Sequence, residues 1–335
     1  MKKYYGSADG LRTIACIGIV MMHVAENSTY SIQGYLYDTV IPSFTDFVFL
    51  FMMLSAFGMC CGYYNKMLSG KISLSEFYGR RFKKIFPFFA VLVLLDVVMS
   101  PSAGSFCEGF ADLTLMFGFL PNPRSIAVIG VGWFLGLIFV FYICFPFFCV
   151  LIENGRRAWT VFGLSVAWHF MCLYYFEASR ANVLYSACFF LAGGMIYLYR
   201  EQIERWNKWA AAGLVLSAAV VYYVIGRNTA ACLVLSAAFL IYAVSDQGKL
   251  LNNRITKFIG GISMEIYLSH MVTFRLAEKL KLTSALGDGW EQYIFSVIIV
   301  LCGAAVFSLV LQKSLKKLGK KVSVTGRKIR GMSGK

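Results

Sequence analysis

The chain has 335 residues, 59% of them hydrophobic and 15% charged, with a formal net charge of +15. A water-soluble protein of this length needs a largely polar exterior, so this composition excludes a soluble enzyme or soluble binding module. The basic excess does not indicate nucleic-acid binding: no basic stretch carries such a signature, and the aromatics lie inside apolar runs, which leaves membrane topology as its cause.

A membrane-crossing helix needs about 20 mostly apolar residues. In chain order such spans are predicted at 8–25, 43–63, 85–100, 132–152, 157–175, 183–199, 208–225, 229–245, 256–274 and 291–312. The first begins like a secretory signal, with Lys2 and Lys3 before an apolar core. Arg12 interrupts that core and no small-residue cleavage site follows His23, so it is read as a retained membrane helix. A further apolar patch at 109–121 is too short to cross and is expected to be re-entrant or interfacial. With both termini in the cytoplasm, 25 of the 32 Lys and Arg fall on that side, 6 fall outside, and Arg12 lies within the first span. That is the positive-inside pattern.

The expected fold is an all-α integral membrane protein, a bundle of about ten transmembrane helices with both termini cytoplasmic. It divides into a membrane domain, 1–312, and a basic cytoplasmic tail, 313–335, either solvated or in contact with anionic lipid. Every cysteine except Cys107 lies in an apolar run and no zinc-type spacing occurs, so neither a disulfide nor a metal is expected.

The stretch DGLRTIACIGIVMMH, residues 9–23, places charge inside the first span. His23 follows Arg12 by eleven residues, close to three full helical turns. Both side chains therefore share one face, separated by about 16 Å along the axis. Asp9, one turn before Arg12, can pair with it, and Glu26, one turn after His23, can accept from its ring and set the tautomer. Charges in a bilayer are costly and usually functional. The plainer alternative is that Arg12 snorkels to the headgroups and His23 bonds a neighbour.

Residues 9–23 resemble the signature of the acyltransferase family 3 membrane proteins through Asp9, Gly10, Arg12 and His23. FLFMMLSAF is similar to a second family element, with Leu54, Ser55 and Phe57 matching and Ala56 in place of a glycine. RRFKKIFP resembles a third, Arg-x-x-Arg-Ile-x-Pro, through Arg81, Lys84, Ile85 and Pro87, lysine replacing the second arginine. GWFLGLIFVFYICFP matches a fourth at Trp133, Leu135, Phe141, Tyr142 and Pro146. GGISMEIYLSHMV matches a fifth at Gly260, Ser263, Tyr267, Leu268 and His270, with Met264 for a tyrosine. The elements occur in order over nearly the whole chain.

The resemblance implies an O-acyltransferase that moves an acyl group from acetyl-CoA or another acyl-CoA to a hydroxyl of a carbohydrate acceptor. Asp9, Arg12, Arg81 and Lys84 are the implied donor-binding residues, since guanidinium and ammonium groups grip phosphates. Arg80 and Lys83 lie beside them. His23 is the implied general base or acyl relay. Glu26 acts with it, and His270 is a second acid/base or an acceptor-orienting group. Ser55, Trp133, Tyr142 and Tyr267 are candidate substrate-binding residues, Ser55 packing helices rather than serving as nucleophile. Glu265, about 140° from His270, is excluded from that histidine's face. His169 is read as structural, and Asp46 and Asp96 as groups at the outer membrane end.

Expected partners are membrane lipids, acyl-CoA, the carbohydrate acceptor and other polysaccharide-assembly proteins, in a bacterial plasma (inner) membrane. Oligomeric state and the choice of acetyl or succinyl stay open. The rival reading is a multi-pass transporter or exporter, because intramembrane charges also line substrate paths. Against it, the halves share no hydropathy repeat and no matched Gly/Pro-broken helices.

Overall fold

The computed structural model describes residues 3–120 and 130–332, with side chains described to residue 318. Among the described residues all regular structure is helical. α1 covers Gly6–Glu26. A π turn Leu36–Val40, the short α2 (Ile41–Ser43) and a 3-10 turn Phe44–Asp46 lead into α3, Phe47–Leu68. α4 (Leu74–Met99) and α5 (Ala103–Thr114) follow, then a 3-10 turn Met116–Phe119. Next come α6 (Trp133–Glu153), α7 (Gly155–Tyr174), α8 (Val183–Leu198), the one-turn α9 (Arg200–Ile203) and α10 (Lys208–Val220). The chain ends with α11 (Thr229–Ser245), α12 (Arg254–Gly261), α13 (Ser263–Lys279) and α14 (Trp290–Met332).

Asparagines start many of these helices. The side chains of Asn154, Asn182, Asn207, Asn228 and Asn253 each accept from backbone N–H groups in the first turn of α7, α8, α10, α11 and α12. A short acceptor just before an apolar run satisfies donors that the helix cannot, and so fixes where each run begins.

All ten predicted spans fall on helices, but two boundaries differ in ways that matter. The third was expected from 85, with the basic cluster in the loop before it. Instead α4 begins at Leu74, because Ser73 accepts from the Glu76 N–H at 3.1 Å and nucleates it earlier. Arg81 and Lys84 therefore stand on the helix, one turn apart. The ninth was expected as one helix and is two, broken at Ile262 between α12 and α13. The patch at 109–121 becomes the end of α5 and the following 3-10 turn, which packs on α6 with Leu115 and Phe117 buried; residue 121 lies outside the described residues. α14 passes residue 312 without interruption as far as Met332; residues 333–335 of the predicted tail lie outside the described residues.

α1 is the axis of the bundle, packed against α3, α11, α12, α13 and α14. Among the described residues, five helical stretches are long and apolar enough to cross a membrane: Gly6–Glu26, Leu36–Leu68, Trp133–Glu153, Lys208–Ile225 and Trp290–Leu318. In the first, 67% of the apolar window is buried inside the protein, against 17% for Lys208–Ile225 and 28% for Trp290–Leu318. The outer helices thus present apolar side chains such as Leu216, Val224, Ile298 and Val306 to the surroundings. Water does not tolerate so much greasy surface, whereas lipid does, and the protein is a multi-helix membrane protein.

Candidate active site

At the N-terminal end of α1, Arg12 Nη1 donates to Asp9 Oδ1 at 2.6 Å. The Tyr4 hydroxyl also donates to Asp9. Burial first, and then the Asp9 carboxylate, push that hydroxyl up to about 12, so it remains a donor. The second Arg12 nitrogen donates to the Leu54 carbonyl at 3.2 Å and passes Gly58, where a Cβ would stand 2.8 Å from it. The guanidinium of Arg81 lies 4.6 Å from the ring centre of Tyr63 and 5.4 Å from that of Tyr142. Aromatic faces hold a guanidinium flat and leave its edge free for a ligand.

These groups border a cavity of about 240 Å³, lined by Asp9, Arg12, Arg81 and Lys84 together with Ser55, Tyr142 and Glu265. Three cations therefore face two carboxylates. Glu265 was given no role because it lies off the face of His270; both stand on α13, and there Glu265 faces the cation cavity with Gly260 and Ser263 while His270 faces His23. Gly260 makes the junction with α1 possible: a Cβ there would lie 2.4 Å from the Asp9 carbonyl oxygen. Gln312 of α14 donates to Glu265 at 2.7 Å and anchors it.

The other end of α1 carries the histidines. The rings of His23 and His270 lie 5.0 Å apart, tilted by 35°. His23 Nδ1 is 3.4 Å from Glu26 Oε2. His270 Nδ1 lies 2.6 Å from the Tyr267 carbonyl. A carbonyl can only accept, so that nitrogen bears the proton and Nε2 keeps its lone pair, buried and without a hydrogen-bond partner. His270 is fully buried, whereas the His23 side chain is 22% exposed. His23 is thus the ring that an incoming molecule reaches.

Arg180, in the loop before α8, is a second group the sequence reading missed. Its guanidinium lies 5.2 Å from the Trp133 ring and donates to Thr45 at 2.6 Å, and its charge bears on both His23 and Tyr267. No local pattern marks it, since only the packing of that loop against α6 and the start of α3 brings it here.

Aromatic rings stand between the two ends. Phe51 lines the cation cavity and packs on Tyr267 at 6.3 Å between ring centres. Tyr267 in turn contacts Phe134 at 5.5 Å and His270 at 6.0 Å, and its hydroxyl donates to the Val131 carbonyl at 3.0 Å. An aromatic partition thus separates the cations from the histidines.

The predicted residues sort into two groups: Asp9, Arg12, Ser55, Arg81, Lys84 and Tyr142 at the cavity, and His23, Glu26, Tyr267 and His270 beyond the partition, with Trp133 near them beneath Arg180. Of the substrate-binding candidates, Ser55 and Tyr142 line the cation cavity. Arg80 pairs with Glu76, and neither Arg80 nor Lys83 lines the cavity. Asp46 accepts from Tyr222 at 2.5 Å, Asp96 faces Arg275 at 3.9 Å, and His169 bonds the Tyr185 carbonyl at 2.7 Å.

Comparison with known proteins adds an independent line. The family described as Acyltransferase domain matches residues 5–311. Acyltransferase MdmB of Streptomyces mycarofaciens is similar to this chain at 26% identity over 367 residues, covering 94% of this chain and 92% of the relative. No solved structure gives a significant match.

Proposed function

The chain belongs to the Acyltransferase domain family, and on that premise we propose that it transfers an acyl group from an acyl-CoA to a hydroxyl of a carbohydrate acceptor, with His23 as the base. The observation that carries the reading is the pairing of His23, on the helix that carries Arg12 to a cation-lined cavity, with His270 of α13. The Arg12 end faces the cytoplasm of a bacterial plasma membrane in a bundle of about ten spans, an orientation supported by the distribution of basic residues. Acyl-CoA is polyanionic and confined to that side. Arg12, Arg81 and Lys84 hold its phosphates, and Asp9 keeps Arg12 in place.

The reacting end of an extended pantetheine arm reaches about as far as the 16 Å between Arg12 and His23, provided Phe51 swings aside. His23 Nε2 takes the proton of the acceptor hydroxyl while the oxygen attacks the thioester carbonyl. The tetrahedral intermediate expels the thiolate, which recovers that proton from the imidazolium and leaves as free thiol. The Glu26 carboxylate beside Nδ1 stabilises the transient cation. His23 Nε2 can instead attack the thioester carbonyl itself, expel the thiolate and carry the acyl group to the acceptor hydroxyl. His270 serves as the second acid/base or orients the acceptor, and Trp133 and Tyr267 bound the acceptor side. Ser55 and Tyr142, which line the cation cavity, belong with the donor.

The test is direct. Purified protein in nanodiscs, given acetyl-CoA, succinyl-CoA and candidate glycans, releases free thiol and acylated product detectable by mass spectrometry. Solute movement across a vesicle wall without thioester consumption overturns the reading in favour of export.

A further inference from the structure

A second cavity, of about 380 Å³, lies beside the first and is lined by Lys3, Tyr5, Tyr63, Lys66, Tyr197 and Arg200. The two share a wall, because the Tyr63 ring that borders the second stacks under Arg81, which borders the first. They also share one face of α3. Phe51, Ser55 and Gly58 line the first cavity, and Gly62 and Lys66 the second. Steps of three and four residues keep all five on one side of the helix. Glycine at both positions between Ser55 and Lys66 makes this face a shallow trough about 12 Å long from Gly58 to Lys66, with the Arg12 guanidinium lying against Gly58.

Charge and shape suit an anion with an aromatic part. Lys3 is held by Glu204 at 2.5 Å, to which the Tyr5 hydroxyl also donates. Arg200 stacks 4.3 Å from the Tyr197 ring centre and donates to Glu201 at 2.9 Å. Glu201 is 74% exposed, so a phosphate readily takes its place on the guanidinium. Two carboxylates answer three cations, which leaves the exposed Lys66 uncompensated. The volume lies in the range of sites that enclose small ligands.

We propose that this cavity binds the nucleotide end of the acyl donor, with Lys66 and Arg200 gripping the phosphate monoester on its ribose and Tyr5 and Tyr197 flanking the base. The pyrophosphate then lies along the trough toward Arg81 and Lys84. The inference rests on the donor reading above and extends it by assigning a separate subsite to the monoester.

Coenzyme A and dephospho-coenzyme A differ by that one phosphate, and titration calorimetry in zwitterionic nanodiscs separates them. The wild type binds coenzyme A about tenfold to a hundredfold more tightly, as expected for one or two charge-assisted hydrogen bonds. The Lys66→Gln/Arg200→Gln variant loses that preference and keeps its affinity for dephospho-coenzyme A. Lys66→Gln alone, at the exposed end of α3, loses part of it without risk to the fold. Equal binding of the two compounds by the wild type overturns the subsite, as when a lipid phosphate occupies the cavity instead, and so does a double variant that still prefers coenzyme A. If the wild type binds both alike and Arg81→Ala weakens both, only the subsite fails. If it binds neither, the donor reading fails and the subsite with it.

Discussion

Around Arg12, α1 meets glycine, hydroxyl and charged side chains bordering about 240 Å³ of space, whereas around His23 it meets packed rings, one of them fully buried. The first region is shaped to receive a polyanion and is bounded partly by backbone, at Gly58, Gly260 and Gly261. The second is shaped to hold imidazoles in fixed tautomers with little room to spare. On the proposed function, the difference separates grip from chemistry: affinity for the donor would reside at one end and the proton transfer at the other, with Phe51 and Tyr267 between them.

Substitutions at the two ends test that separation. The largest effect is expected from His23→Ala, which lowers acyl transfer at least about a hundredfold, the low end for losing a general base. Calorimetric affinity for coenzyme A stays unchanged, and a matching loss of affinity breaks the separation. Arg81→Ala does the converse: it weakens coenzyme A binding about tenfold to a hundredfold while turnover at saturating donor is retained. Gly260→Ala forces a methyl against the Asp9 carbonyl and destabilises the bundle by about 1–3 kcal/mol, read as a lower melting temperature in detergent. The smallest effect is expected at the partition. Phe51→Ala opens the wall to water and raises acetyl-CoA hydrolysis severalfold when no acceptor is present, measured by thiol release.

How far the sequence carried the reading depends on what each residue needed from its neighbours. Arg12 and His23 share one uninterrupted helix, so a fixed rotation per residue is enough to align them, and Asp9 and Glu26 follow from the same geometry. Arg81 and Lys84 were legible from the motif, although their helix starts earlier than hydropathy implied because Ser73 caps it. The phase of Glu265 relative to His270 was legible, since both stand on α13, but its role was not: only the packing of α13 against α1 and α4 brings it to the cavity beside Arg12 and Lys84. Arg180 was illegible because a loop residue carries no periodicity at all. The aromatic partition was equally hidden: Phe51 looked like one apolar residue among many, and only the packing of α3, α6 and α13 makes it a wall.

The contact between Gly260 and the Asp9 carbonyl carries one more consequence. Main chain rests on main chain there, so the spacing of the anion grip is set by atoms that no side-chain replacement removes, short of adding a methyl. The imidazole end is framed by side chains that bond main-chain carbonyls, His270 to Tyr267 and the Tyr267 hydroxyl to Val131. On the proposed function, retargeting to a different hydroxyl compound is therefore a matter of Trp133 and its neighbours, with Gly260 left as it stands so that the carrier docks as before.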